Sequence, residues 1–161
     1  MEKDEMERMG RLGLDQMPPG KLKIKENCRY KIFDVARSKI GFAGVYVIRT
    51  DYLDAVWVGE TSNISDRMGC HIHRFDGSNL IWELAHSKHF PQYKDSRDRL
   101  KKEVKCFLVE FVVVEGGGSG GGGGERKRRR AVEEFVDKQL RPHSPLLLNT
   151  RWGGLLESRH R

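Results

Sequence analysis

Cysteine is scarce in this chain. Cys28, Cys70 and Cys106 are the whole supply, an odd number with no close pair. That argues against a disulfide framework and against a CxxC zinc site, and leaves buried thiols as the expected role. The histidine pairs His71/His73 and His86/His89 do not complete a tetrahedral metal set either, because HxH sends its rings to different faces of a helix. Long apolar runs are missing as well. None reaches the ~18 residues of a membrane span, and the first thirty or so residues lack the apolar stretch of a signal peptide. The expectation is an intracellular protein with no membrane partner, in the cytoplasm or nucleoid, or in the nucleus of a eukaryote. Acidic residues are outnumbered, 23 Asp+Glu against 30 Lys+Arg, for a formal charge of +7. That excess favours a polyanionic partner through counterion release.

What is present reads as one α+β domain with decorations. Gly44 to Ile48 and Ala55 to Gly59 are alternating segments rich in β-branched and aromatic residues, joined by the polar Thr50 to Asp54, so they predict a hairpin with Tyr46 and Trp57 on neighbouring strands. Ser62 or Asn63 can cap a following helix whose buried stripe is Ile64, Met68 and Ile72. Beside that stripe Arg67, His71 and Arg74 recur at i, i+4 and i+7 and so share a face. Leu80, Ile81, Leu84 and Ala85 predict a second helix that must stop near Pro91. The charge-dense Tyr93 to Lys105 reads as a solvated connector or a short helix. Cys106 to Val114 is nearly all apolar and β-favouring, which predicts a strand covered on both faces and completes a small three-stranded antiparallel sheet between helices. A last helical stripe runs through Ala131, Val132, Phe135, Val136 and Leu140 to the stops Pro142 and Pro145.

The organisation that follows is an N-terminal arm and packing segment over 1–40, a catalytic-type domain over 41–151, and a tail over 152–161. Within the arm, Ile24, Ile32, Phe33, Val35 and Ile40 are the residues expected to pack onto the sheet. The segment 116–124, all glycine except Ser119, is expected to hold no secondary structure and to reach about 16 Å as a random coil. It has the composition of an engineered linker or of a natural glycine-rich insertion.

Three groups of residues carry chemistry: Gly44-Val45-Tyr46, then Val56-Trp57-Val58-Gly59 running on through Glu60 to His71, and finally Glu133, Arg141-Pro142 and Asn149. Over roughly two thirds of the chain this set resembles the GIY-YIG nuclease superfamily. The resemblance implies a small sheet sandwiched by helices and a metal-dependent DNA endonuclease, restriction-type or structure-selective, leaving 5′-phosphate and 3′-hydroxyl ends. Tyr46 would activate the water, and Arg67 would set its guanidinium fork on the phosphate. His71 would contact the phosphate or relay a proton. Glu133 would hold one Mg²⁺ or Mn²⁺ together with waters and substrate oxygens, with Asn149 bracing the site. A homodimer would suit the restriction-type reading, since two active sites cut two strands.

The chemistry agrees with those types. Phosphodiester hydrolysis needs an activated water, compensation of growing negative charge, and a stabilised leaving alkoxide. Glu134 is the competing carboxylate, read as a solvated helix residue. Arg74 and the run Arg126, Lys127, Arg128, Arg129 and Arg130 are candidate DNA contacts; the run also reads as a nuclear address. Two departures stand out. Trp57 occupies a tyrosine position and cannot act as a base. Glu60 puts a carboxylate near the expected phosphate, which is repulsive unless it faces a metal or points away. These departures keep an alternative open, a weak or inactive nucleic-acid-binding module of the same fold.

Overall fold

The structure, a computed structural model, describes residues 29–77, 79–113 and 123–148. It is an α+β fold whose sheet carries helices on both faces. The elements in chain order are β1 (Tyr30–Lys31), α1 (Ile32–Arg37), β2 (Gly44–Arg49), β3 (Ala55–Thr61), α2 (Ile64–His73), α3 (Leu80–His86), α4 (Arg97–Val104), β4 (Leu108–Val113) and α5 (Gly123–Leu140). Short 3-10 turns lie at Pro91–Tyr93 and Arg141–His143. No helix among the described residues is long and apolar enough to cross a membrane.

The expected hairpin is present, and β2 also pairs antiparallel with β4. The sheet has four strands rather than three, in the order β1-β4-β2-β3. The extra strand is the two-residue β1, paired through Tyr30 with Val109 and Lys31 with Leu108. Two residues cannot display alternation, so the sequence holds no signal for it.

Side chains alternate across the sheet. Tyr46, Ile48, Trp57, Val109 and Phe111 enter the larger core with Ile32, Met68, Ile72, Leu84 and Leu100. Val45, Val47, Ala55 and Val58 meet Val136 of α5 and Leu147 in a second, smaller core. The β2/β3 register slips beside Ile48 and Arg49, which pair with Trp57 and Ala55 and leave Val56 as an extra residue. The Val56 carbonyl then accepts from the Leu148 amide at 2.9 Å, pinning the segment after α5 to the sheet.

Two expectations change here. Strand β4 is covered on both faces only in part, because Leu108 and Glu110 are half-exposed and Glu110 pairs with Arg29 and Arg49. Helix α5 begins at Gly123, so the last two glycines of 116–124 are helical and Arg126 to Arg130 belong to the same helix as Glu133. Ile32, Val35 and Ile40 are buried as expected of the packing segment, while Ile24 lies outside the described residues.

Candidate active site

Tyr46 stands opposite Gly59 across the hairpin. Its ring lies over that glycine: a Cβ there would sit 2.5 Å from the Tyr46 Cζ atom, a separation no side chain tolerates. The absent side chain lets the phenol reach across β3, where it is fully buried.

Helix α2 delivers the partners. Asn63 caps it, Oδ1 accepting from the Asp66 amide at 3.1 Å, and the Ile64 and Ser65 amides donate to the Phe42 and Ile40 carbonyls at 2.8 and 3.2 Å. The Ile64 and Ser65 amides are thus satisfied by the segment leading into β2, which fixes the helix against Tyr46. From one face of α2, Arg67 Nε donates to Tyr46 Oη at 3.3 Å, and His71 Nε2 lies 2.7 Å from the same oxygen.

The tautomer of His71 follows from its other nitrogen. The Leu80 amide donates to His71 Nδ1 at 2.9 Å, so Nδ1 is an acceptor and the ring proton sits on Nε2, where it donates to Tyr46 Oη. The ring is fully buried, edge-on to Trp57 with centroids 4.9 Å apart. Burial, then the Arg67 charge, holds His71 well below the usual imidazole range. It is a neutral hydrogen-bond donor sealed inside the protein, not the phosphate-contacting histidine that the resemblance implies.

Asn79, buried, takes the Arg67 Nη1 proton at 3.2 Å on its Oδ1 and donates to the Asp76 carbonyl at 3.3 Å. Sequence reasoning missed it. The available signal was its place just before the apolar run of α3, an N-cap position, yet its side chain caps nothing and turns to Arg67 instead. Asn79 and Leu80 together therefore bracket both α2 residues that touch Tyr46.

Tyr46 itself is pushed up to about 12, first by burial; the Arg67 charge and hydrogen bond pull it down, Glu133 pushes it up, and the Trp57 indole pulls it down slightly. Glu133 is thus close enough for its charge to act on the phenol. It is buried on α5, one turn after the buried Arg129 and one turn before the buried Asp137. Glu134 lies at the surface and pairs with Lys138 at 2.8 Å, the contrast that separates the two carboxylates.

Glu60 resolves its own difficulty: it faces α5, where Arg129 Nε donates to it at 2.9 Å and Arg126 lies at 3.6 Å. Asp137 was not anticipated. It takes two bonds from Arg141, at 2.8 and 2.7 Å, and the i, i+4 spacing of the two residues was the available clue.

The basic run divides accordingly. Arg126, Lys127 and Arg128 are exposed, Arg129 is buried against Glu60, and Arg130 is half-buried. Arg129 is therefore a packing residue rather than a DNA contact. Arg74 also departs from the expected face. Helix α2 ends at His73, Arg74 is extended, and its guanidinium grips Asp76 at 2.7 and 3.1 Å at the surface. Asn149 lies outside the described residues.

Among the described residues no three His, Cys, Asp or Glu side chains gather as a metal-holding group. Asp137 is committed to Arg141, and Glu133 is the carboxylate whose charge acts on Tyr46. One hard oxygen ligand fits Mg²⁺ or Mn²⁺, which keep several waters and take substrate oxygens, and does not fit zinc. No family model, curated protein or solved structure matches the chain.

Proposed function

We propose that this chain is a DNA endonuclease of the GIY-YIG type, hydrolysing phosphodiester bonds to 5′-phosphate and 3′-hydroxyl ends. One observation carries the reading. The phenol oxygen of Tyr46 receives N–H groups from Arg67 and His71, while the charge of Glu133, from the far end of the chain, acts on the same group. Hydrogen-bond donors around a phenol oxygen favour its anionic form, which is the form that can take a proton from water.

In this reading Tyr46 accepts the proton of the attacking water, whose oxygen bonds to phosphorus as the bond to the 3′ oxygen breaks. Arg67, the member of the group with partial exposure, meets the growing charge on the phosphate. His71 stays a fixed donor to the phenol, and Trp57 packs against His71 without exchanging a proton. Glu133 would hold Mg²⁺ or Mn²⁺, which when bound supplies positive charge to the phosphate and the leaving oxygen.

The deep burial of Tyr46 and Glu133 favours one alternative, a DNA-binding module of the same fold with little or no catalysis. A plasmid-nicking assay with Mg²⁺ separates the two. The nuclease reading expects wild-type nicking that Glu133→Gln and Tyr46→Phe each reduce at least about a hundredfold, with Glu134→Gln mild. Equal effects from the two glutamates, or cleavage that persists in EDTA, would sink it.

A further inference from the structure

Helix α4 carries Arg97 and Lys101 one turn apart, with Lys105 just past its end and one further turn along. Arg97 and Lys101 lie over the ring of Phe75, at 4.7 and 5.7 Å from its centre. Lys105 lies over Phe33 at 5.1 Å, and Arg37 of α1 covers the same ring at 5.3 Å. Two rings thus hold four cations in a row.

Three other surface cations are neutralised: Arg74 by Asp76, Arg99 by Glu103, Lys138 by Glu134. None of the four over the rings has a carboxylate partner among the described residues. A ring face holds a cation in place without cancelling its charge. Over the rings, and with no carboxylate partner among the described residues, the four keep the positive charge that a surface reading a line of negative charge requires. Successive steps of four residues along α4 advance about 6 Å, which suits a linear polyanion.

We infer that the α4 stripe, Arg97, Lys101 and Lys105 with Arg37 of α1, is the docking surface for the phosphate backbone of duplex DNA. The inference rests on the nuclease reading for the choice of DNA, and it moves the main contact away from the basic run of α5. An anionic membrane is the poorer fit, because Phe33 and Phe75 are half-buried under their cations. Among the described residues the exposed large apolar side chains, Tyr52 and Leu53, lie instead on the β2–β3 turn. The stripe adjoins the candidate site: Phe75 belongs to the α2–α3 loop, which also supplies Asn79 to Arg67.

The test is the salt dependence of binding to a fluorescein-labelled duplex of about twenty base pairs, in EDTA so that cleavage is silent. Neutralising Arg97, Lys101 and Lys105 together to Gln should flatten the slope of log K against log salt by about 2.7, and Lys101→Gln alone by about 0.9. A control with Lys88, Lys94 and Lys138 changed to Gln should leave the slope nearly unchanged. An equal loss in both triple variants, no loss in the stripe variant, or no DNA binding by the wild type would overturn the inference. So would a stripe variant that loses binding only to phosphatidylserine vesicles. Nicking activity is scored separately: binding that follows the stripe without any Mg²⁺-dependent cleavage keeps this inference and removes the nuclease reading, and cleavage with an unmoved slope does the reverse.

Discussion

The buried neutral His71 makes a pH dependence that can be worked out in advance. An unfolded histidine takes up a proton near pH 6.5, whereas burial and the Arg67 charge keep the folded ring neutral well below that. The unfolded chain therefore binds the extra proton as the pH falls, and stability contributed by this group is present above about pH 6.5 and lost below it. Between about pH 7.5 and about pH 5.5 the ratio of unfolded-state proton-binding terms is near ten, so the wild type should lose about 1.4 kcal/mol at this residue. Urea unfolding at the two pH values, for the wild type and for His71→Gln, measures it. The glutamine cannot titrate, so its own loss over that range should be smaller by about 1.4 kcal/mol, whatever its absolute stability. His71→Asn, which keeps an acceptor for the Leu80 amide, is the second variant should glutamine unfold the chain. In the wild type, ring ¹⁵N shifts should show the Nε2–H form throughout. Parallel losses in wild type and variants, or a ring that titrates near its usual value, would refute the sealed-donor assignment.

Gly59→Ala should force Tyr46 off its partners and cost about 1 to 3 kcal/mol by overpacking, read as a lower urea midpoint; an unchanged midpoint would mean the ring does not lie over Gly59. Glu60→Leu should destabilise by about 3 to 5 kcal/mol because it strands the buried Arg129, while Glu60→Leu with Arg129→Met should recover most of the loss. A single variant within about half a kcal/mol of wild type would show that the pair is solvated.

The parts of this molecule that the sequence declared are those governed by short-range periodicity. Alternation at Gly44 to Ile48 and Ala55 to Gly59 gave the hairpin, and four-residue spacing of Ile64, Met68 and Ile72 gave the buried face of α2. Asn63 declared its cap by chemistry and position. The two α2 residues next to Tyr46 followed from the same spacing, but Arg74 did not, because where a helix ends is set by tertiary contacts and the pattern ran one residue too far. Polar pairs distant in sequence were invisible. A run of five basic residues reads as a solvated face until Glu60, sixty-nine positions earlier, takes Arg129 inside. Asn79 looked like a cap because its twelve-residue reach to Arg67 leaves no trace in local composition. Glu133 and Glu134 are the intermediate case: a register argument chose between them, and burial of the first with an outward ion pair for the second agrees with that choice.

Whether Tyr46 can act as a base turns on opposing effects at one oxygen. Burial pushes the phenol up to about 12, Arg67 and the Trp57 indole pull it down, and the Glu133 charge pushes it up again. Removing that charge should therefore lower the Tyr46 pKa, and removing the indole donor should raise it. Both can be read without substrate, metal or turnover, from ultraviolet titration of phenolate absorbance with a Tyr46→Phe chain subtracted to cancel the other three tyrosines. Glu133→Gln should shift the transition below about 12, and Trp57→Phe should shift it upward. The same balance sets the reaction's pH profile. If phenolate is the active form, single-turnover cleavage should climb close to tenfold per pH unit until the phenol ionises. Positive charge on Glu133 would bring that break to lower pH than in the metal-free chain. A Tyr46 titration that ignores Glu133→Gln would place the carboxylate too far away to govern the phenol, and the proposed division of labour between them would fail with it.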